Sequence, residues 1–435
     1  MVVSPNAIGG SVVAESLPPP RLRSPNRQTV LDATPLDGLL DDDHQARVVR
    51  DFCRGLDLSP LTDAIRARAG RPGHPALDPR LALALWLSAT LEGIGSARQL
   101  ATLCTAHNAF RWLRGGVSVN YHTLADFRVD HLAFLDSLLT HSVAVLREQG
   151  PVDLNRVAQD GTRVRASAGA ASFRRKPTLE ECLREAEDQV ARLREEMGDD
   201  PPAGSRRQAA ARERAARERV ERLRQALDRL PELEARKKPD QRDRARCSTT
   251  DAEATVMKMA DGGFRPAYNV QFAADTKSQV IVGVDVLATG SDRGQMRPMV
   301  EQIHTRHGKY PAEYLVDGGF AQHADVEAAA GCGVTVSAPV PKPKEASRDR
   351  HQPLPGDSAV IAGWRERMGT AEAKTIYKDR ASTIACANAQ ARNRGLLRFL
   401  VRGVAKVKAV ALWFAVAHNV ACGVRRRAER VAVVA

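Results

Sequence analysis

The sequence lacks the features that mark membrane, secreted and metal-thiolate proteins. No apolar run approaches the roughly 20 residues that a membrane-spanning helix needs, and the longest uncharged stretch, 409–424, contains His418 and Asn419. The N-terminus has no basic segment followed by an apolar one, so no secretion signal is predicted. The seven cysteines are scattered and never spaced as a ligand pair. They predict reduced thiols in a cytoplasmic protein rather than disulfides or a structural zinc.

Two enzyme classes lack their motifs. The 11 histidines form no His-x-x-x-His set, which argues against a zinc hydrolase, and no glycine-rich loop ends in Gly-Lys-Ser/Thr, so an NTPase is unsupported.

Positive charge is abundant: 65 Lys and Arg against 52 Asp and Glu give a net charge of +13. This surplus predicts a polyanionic partner, and without a membrane segment that partner is expected to be nucleic acid.

The N-terminal third is predicted to be helical after an unstructured leader. Residues 1–43 are rich in Pro and Ser and end in three aspartates, whereas 44–150 show helical patterns. Asp78 before Pro79 predicts a helix start, and the apolar run 81–91 predicts a buried central helix. Arginines near the helix starts favour a helix-turn-helix-like DNA reader. A bundle that packs on the next domain without touching DNA is the alternative.

The remainder, 151–435, is predicted to be a mixed α/β domain with an insertion. A strand is expected over 152–165, followed by a charged segment, 178–244, that predicts an exposed helical hairpin inserted into the domain. Further strands are expected at 254–259, 267–274, 280–287, up to Asp317 and at 334–337. Helices are expected at 294–307, 322–330 and from about 358.

Asp160 and Asp317 are the residues that could carry chemistry. Each closes a short, partly apolar stretch and is followed by glycine, so both are expected where a strand gives way to a loop. Carboxylates from different strands can converge on Mg²⁺, which prefers hard oxygen ligands and assists phosphodiester chemistry. Taken alone, either Asp-Gly pair is better explained as a turn.

The C-terminal segment strengthens the metal-site interpretation. Residues 391–435 contain ten Lys or Arg and one acid, Glu429. This density suits a surface that neutralises DNA phosphates. A solvated basic helix would explain Arg425, Arg426 and Arg427, but Arg380, Arg392 and Arg398 alternate with apolar residues that are expected to pack.

A set of motifs in a fixed order resembles a known family. These motifs are Asp-Gly-Thr-Arg-Val-Arg-Ala at 160–166, Thr-Asp-Ala-Glu-Ala at 250–254, Tyr-Asn-Val-Gln at 268–271, Val-Asp-Gly-Gly-Phe at 316–320 and Arg-Asn-Arg-Gly-Leu-Leu-Arg-Phe-Leu-Val-Arg-Gly at 392–403. From about residue 44 to 422 the chain resembles the DDE transposases of bacterial insertion sequences, in the IS-eleven-eighty-two-like branch of the IS-four/IS-five grouping.

The resemblance implies an RNase H-like mixed-sheet catalytic core behind an all-α N-terminal domain that recognises terminal inverted repeats. It implies Asp160 and Asp317 as the first two metal-binding acids, with Mg²⁺ as cofactor and Mn²⁺ as substitute. The expected partners are double-stranded DNA, as element ends and target, and a second copy in a synaptic complex. The location would be cytoplasmic and nucleoid-associated. The residues expected to contact DNA are Tyr377, Arg380, Arg392, Arg394, Arg398 and Arg402.

The chain departs from the family at the third acid, where Ala385 stands in place of glutamate; Ile384 occupies the slot used in some branches. The favoured interpretation is a copy that has lost activity. Alternatively, Glu366, Glu372 or Asp379 substitutes, or two aspartates with waters and phosphate support weak cleavage. The functions that remain open are a strand transferase, a DNA-binding repressor that does not cut, and a generic nuclease.

Overall fold

The computed structural model describes residues 35–67, 75–150, 152–198, 203–343 and 348–434. Most of the predicted leader, 1–43, lies outside these ranges, although a short 3₁₀ turn occupies Leu36–Leu39. A bundle of helices follows, and its members are α1 (Gln45–Arg54), α2 (Ser59–Thr62), α3 (Pro79–Leu91), α4 (Ala97–Ala106), α5 (Asn108–Arg114), α6 (Tyr121–Asp130) and α7 (Leu132–Glu148).

Helix α3 is the centre of this bundle, as predicted. The Asp78 side chain accepts a hydrogen bond from the backbone N of Arg80 at 2.7 Å, and Pro79 occupies the first helical position. Almost the whole helix is buried, because it is apolar on every side. Gly93 then adopts a φ of +75° and ends it.

The second part of the chain forms a curled mixed sheet with a separate two-stranded ribbon. The strands are β1 (Arg156–Arg165), β2 (Phe173–Arg174), β3 (Cys247–Ser248), β4 (Thr255–Lys258), β5 (Phe264–Asp275), β6 (Ile281–Leu287), β7 (Glu313–Leu315) and β8 (Thr335–Ser337). The main sheet has the order β4-β5-β1-β7-β8, with β6 also paired to β5, and β2 pairs with β3. Strands β1 and β5 are antiparallel, whereas β7 and β8 run parallel to β1.

Helices surround the sheet or extend from it. They are α8 (Lys176–Gly198), α9 (Ala203–Ala235), α10 (Met296–His307), α11 (His323–Gly331), α12 (Ala359–Gly369), α13 (Ala371–Arg380), α14 (Cys386–Asn393) and α15 (Val404–Val434). A π-helical turn, Ala381–Ala385, joins α13 to α14. The α8–α9 pair is a hairpin with a small core of its own that includes Leu179, Leu223 and Leu230.

Helix α15 connects the two parts of the molecule. It packs against β6 and against α3, α6 and α7, and the Trp413 ring lies 6.5 Å from that of Trp86. The stretch Val404–Arg425 is apolar and long enough to cross a membrane, but 83% of its most apolar part is buried inside the protein. Helices α6 and α7 would be long and apolar enough only if they were counted as one span, and they are bent by 69° where they meet. The burial of α15 explains its composition as that of a core helix.

Candidate active site

Two aspartates lie side by side, Asp160 within β1 and Asp317 just beyond the end of the neighbouring parallel strand β7. The register pairs Ala158 of β1 with Leu315 of β7, so Asp160 and Asp317 each lie two residues beyond a paired position. The guanidinium of Arg380 joins them: Nη2 lies 2.9 Å from Asp160 Oδ1 and 3.8 Å from Asp317 Oδ2. The structure therefore brings together the two carboxylates that lie 157 residues apart in the sequence.

The expectation that Asp160 closes a strand is wrong. Asp160 lies in the middle of β1, paired with Phe272, and the strand continues to Arg165. Asp317 does follow the end of β7, where its Oδ1 accepts a hydrogen bond from the backbone N of Gly319 at 2.8 Å. The Asp-Gly pattern marks a turn at Asp317, whereas at Asp160 the glycine has another purpose.

Gly161 is required by what packs over it. A Cβ at this position would lie 2.4 Å from Asp292 Oδ1, 2.4 Å from Gln271 Nε2 and 2.7 Å from Asn269 Oδ1. Both amides donate to Asp292 Oδ1 at 2.7 Å. Successive strand residues point to opposite faces, so this amide and carboxylate network supports β1 from the face opposite to the Asp160 side chain.

The face of β1 that carries Asp160 is covered by the helix containing Arg380 and Asn388. Asn388 Nδ2 donates to Asp160 Oδ2 at 3.1 Å, so both oxygens of this carboxylate have a partner. A π-turn places residues five apart one above the other, and an α-helix does so for residues three or four apart. Arg380, Ala385, Asn388 and Arg392 therefore share one face of the continuous helix.

Electrostatics at the site disfavour two separate negative charges. Burial raises the pKa of Asp160, and the nearby Asp317 and Asp292 carboxylates raise it further, whereas Arg380 opposes the shift. Tyr377 is affected in the same way: burial raises its pKa, as do Asp317 and Asp160, and Arg380 again opposes. A cation placed between the aspartates would relieve this repulsion. Tyr377 lies close enough to both carboxylates for their charges to raise its pKa.

The carboxylates considered as substitutes for the third acid do not lie at the site. Asp379 Oδ2 is 2.6 Å from Arg156 Nη1, in an ion-pair cluster that includes Glu313. Glu366 and Glu372 are exposed, and even the nearer one is eight residues, about 12 Å of helix, before Arg380. Within the described ranges, no three His, Cys, Asp or Glu residues form a group that could hold a metal ion.

The predicted DNA-contacting arginines fall into two groups. Tyr377 and Arg380 lie at the carboxylate pair, whereas Arg392, Arg398 and Arg402 are exposed beyond it and form no salt bridge within the described residues. Arg394 is half-buried, and burial lowers its pKa. The loop after α14 is held to the end of β1, because Phe399 N donates to the Arg165 carbonyl at 2.8 Å.

Two other aspartates have structural roles. Asp251 accepts hydrogen bonds from the Tyr268 hydroxyl at 2.7 Å and from Gly403 N, so it supports the start of α15 rather than the carboxylate pair. Asp275 accepts hydrogen bonds from the backbone N and the hydroxyl of Ser278, so it stabilises the turn between β5 and β6.

The sequence interpretation missed Asp292 and Asn388. A polar residue one helical turn beyond Ala385 was a usable signal for Asn388, because the two positions share a helix face. Asp292 lies in the loop after β6, directly after Ser291, and nothing in the local sequence distinguishes it from an ordinary loop residue.

Comparison with known families identifies the two parts of the chain. A transposase domain (DUF772) matches residues 35–130, which contain α1 to α6, and a transposase DDE domain matches residues 234–394. These domains indicate a DDE transposase of an insertion sequence. No curated protein and no solved structure matches the chain significantly. The DDE match contains Asp317 and Ala385, whereas Asp160 precedes it, on the other side of the α8–α9 hairpin.

Proposed function

We propose that this protein is the transposase of an insertion sequence in the IS-eleven-eighty-two-like branch, and that it binds the element's terminal inverted repeats and cleaves and transfers DNA strands there. The observation that carries the proposal is the convergence of Asp160, in β1, and Asp317, just after the adjacent parallel strand β7, on the guanidinium of Arg380. The fold supports it. A central strand flanked by an antiparallel pair on one side and two parallel strands on the other is the arrangement expected of an RNase H-like core.

The residues present fit a divalent cation. Two carboxylates already share one cationic group, and the buried Oδ1 of Asn388 beside them has no hydrogen-bond partner among the described residues. Asp160 and Asp317 would hold Mg²⁺, with Mn²⁺ as a substitute. When bound, such an ion activates the attacking oxygen and stabilises the leaving one.

The surrounding side chains would bind and orient the DNA. Arg380 would bind a phosphate oxygen at the carboxylate pair, because its guanidinium group lies within 2.9 Å of Asp160 Oδ1 and 3.8 Å of Asp317 Oδ2. Tyr377 lies beside it as a further contact. Arg392, Arg398 and Arg402 extend the positive charge along the helix face and the following loop, where phosphates of the same duplex would lie.

The N-terminal helices α1 to α6 would read the repeat sequence, and two copies would bring the element ends together in a synaptic complex. The protein would act in the cytoplasm on nucleoid DNA.

A second function rests on Ala385: with two carboxylates in place of three acids, the protein would bind the ends without cutting them and would act as a repressor of active copies.

Cleavage of repeat-end DNA tests the proposal and separates these functions. The wild type, Ala385→Glu and Asp317→Asn are incubated with labelled DNA from the two ends of the element, with Mg²⁺ or Mn²⁺. We expect Ala385→Glu to cut at the repeat end at least about 100-fold faster than the wild type, because each 1.4 kcal/mol of restored transition-state stabilisation is about tenfold in rate. Asp317→Asn should not cut.

The controls define what each outcome means. Cutting by the wild type at the repeat end excludes the binding-only function, and equal cutting of a scrambled duplex indicates a nuclease without end recognition. If Ala385→Glu binds the ends but never cuts with either ion, the assignment of this site is wrong.

A further inference from the structure

Asn388 is buried beside the carboxylate pair, and the carbonyl oxygen of its side chain forms no hydrogen bond with the described residues. Its residue exposure is 3%, its Nδ2 donates to Asp160 Oδ2 at 3.1 Å, and its Oδ1 has no partner among the described residues. A buried carbonyl oxygen without a partner is costly, and such atoms in folded proteins generally await an ion, a water or a ligand.

Because Ala385 has no polar atom in its side chain, Asn388 is the residue that supplies one at this part of the site. The two residues lie three apart on the face of the helix that covers Asp160. Position 385 is exposed and carries a methyl group that can bind nothing, whereas Asn388 already contacts the carboxylate. Asn388 is therefore a carbonyl-bearing side chain of this helix that is hydrogen-bonded to the pair.

The carboxamide can present either end to its neighbour. The NH₂ group of Asn388 faces the negative Asp160 carboxylate in this structure. A cation on Asp160 repels the NH₂ group and attracts the carbonyl, and rotation about the terminal torsion exchanges the two. Amide oxygens are hard ligands that Ca²⁺ and similar ions accept together with carboxylates.

We propose that Asn388 is the third oxygen ligand of the divalent cation, together with Asp160 and Asp317. It takes the role of the acid that is absent at position 385, three residues earlier on the same helix face. This inference rests on the proposed function, because it assumes that the carboxylate pair binds a metal ion. It adds that the site has two charged ligands and one neutral ligand, so that the ion is held more weakly than by three acids.

Mn²⁺ binding to the full chain without DNA tests this, by isothermal titration calorimetry. The variants are Asn388→Leu, which keeps the volume but removes the oxygen, and Asn388→Asp, which adds a charge. Gln390→Leu is the matched control: its Oε1 also lacks a partner among the described residues, but two residues further on it points to another side of the helix. Asp317→Asn reports on the carboxylate pair itself.

We expect Asn388→Leu to weaken Mn²⁺ binding at least about tenfold and Asn388→Asp to strengthen it about tenfold, whereas Gln390→Leu leaves it within about twofold, since residues that only orient ligands already change metal affinity 10–100-fold. Thermal melting checks that each variant is folded. The near-isosteric Asn388→Asp keeps the test valid if the leucine variant does not fold.

The outcomes separate the two proposals. If Asp317→Asn weakens Mn²⁺ binding but neither Asn388 variant changes it, Asn388 is not a ligand and the proposed function stands. If Asp317→Asn has no effect, or the wild type binds no Mn²⁺, the metal site is misplaced and both proposals fail. A change in Gln390→Leu equal to that in Asn388→Leu would show an effect of helix packing and would overturn the inference.

Discussion

Two arginine-rich regions of this protein differ in net charge: one is neutral and the other is strongly basic. The hairpin segment, 178–244, contains 17 Lys and Arg and 17 Asp and Glu, so its formal charge is zero. The segment 386–408, which includes α14 and the start of α15, contains six Lys and Arg and no acid. Arginine content alone therefore does not identify a DNA-binding surface, and the distribution of carboxylates has to be considered.

The ion pairs follow the same division. In the hairpin, Arg217, Arg224 and Arg236 each bond a glutamate, at positions 213, 187 and 232 respectively. In the basic segment Lys408 pairs with Asp285 at 3.0 Å. The exposed arginines there form no salt bridge within the described part of the chain. Paired surface charges contribute little binding capacity, whereas unpaired ones remain available to phosphates.

The largest expected effect comes from removing the unpaired charges. A triple Arg392→Ala, Arg398→Ala and Arg402→Ala variant should bind repeat-end DNA roughly 100-fold more weakly at about 0.1 M salt. The slope of log affinity against log salt should fall by up to about three, because each arginine that is removed leaves one phosphate without its neutralising charge. Fluorescence anisotropy over a salt series measures both quantities.

The hairpin supplies the matched control for that variant. The triple alanine variant of Arg217, Arg224 and Arg236 removes the same formal charge but only from bonded pairs, so its DNA affinity should stay within about threefold of wild type. Equal losses of affinity in the two triple variants would show that overall charge, rather than the 386–408 surface, determines DNA binding.

A smaller effect is expected at His418, beneath the basic segment. Burial lowers its pKa to about 4, and Arg394 and Arg425 contribute to this lowering. The unfolded chain, with a pKa near 6.5, takes up a proton between about pH 6.5 and 4 that the folded protein does not. Stability is therefore lost as the pH falls through this window, by about 1 kcal/mol between pH 6.5 and 5.5 from this group.

Urea unfolding at pH 7.5, 6.5 and 5.5 checks this when wild type is compared with His418→Gln. The variant should lose about 1 kcal/mol less than the wild type between pH 6.5 and 5.5. Arg394→Gln should lie between the two, because one of the positive neighbours is removed. Parallel pH profiles for all three proteins would contradict the shifted pKa.

The smallest effect is expected from a single pair in the hairpin. Glu187 Oε1 lies 2.7 Å from Arg224 Nη2, and both side chains are substantially exposed. Glu187→Gln should change the melting temperature by less than about 1 °C, because exposed pairs contribute about 0–1 kcal/mol. A shift of several degrees would mean that these pairs hold the hairpin together, contrary to the role of its apolar core.

Much of the fold could be predicted because local patterns determine it. The Asp78 cap, the apolar α3 and the strand periodicity of β4 to β6 each identify an element without tertiary information. Local patterns do not predict that Asp160 and Asp317 converge; that prediction comes from the family resemblance carried by the ordered motifs.

Other features depend on tertiary packing that no local pattern records. The Asp-Gly pattern predicts a turn at Gly161, but Asp292 and two amides of β5 occupy the space of its Cβ. The π-turn Ala381–Ala385 and the orphaned oxygen of Asn388 have no sequence signature. Asp379 is a reasonable candidate ligand from its position in the sequence, and only its ion pair with Arg156 excludes it.

Helix α15 packs into the N-terminal bundle, so folding of the bundle depends on a segment that is synthesised much later. Trp413 donates to the Arg128 carbonyl at 2.9 Å and fills the space beside Trp86, so one wall of the bundle is synthesised only after the sheet that separates the two in the sequence. A fragment that stops before residue 404 would leave Trp86 and its neighbours exposed. The helices α1 to α7 can therefore complete their core only after α15 has left the ribosome.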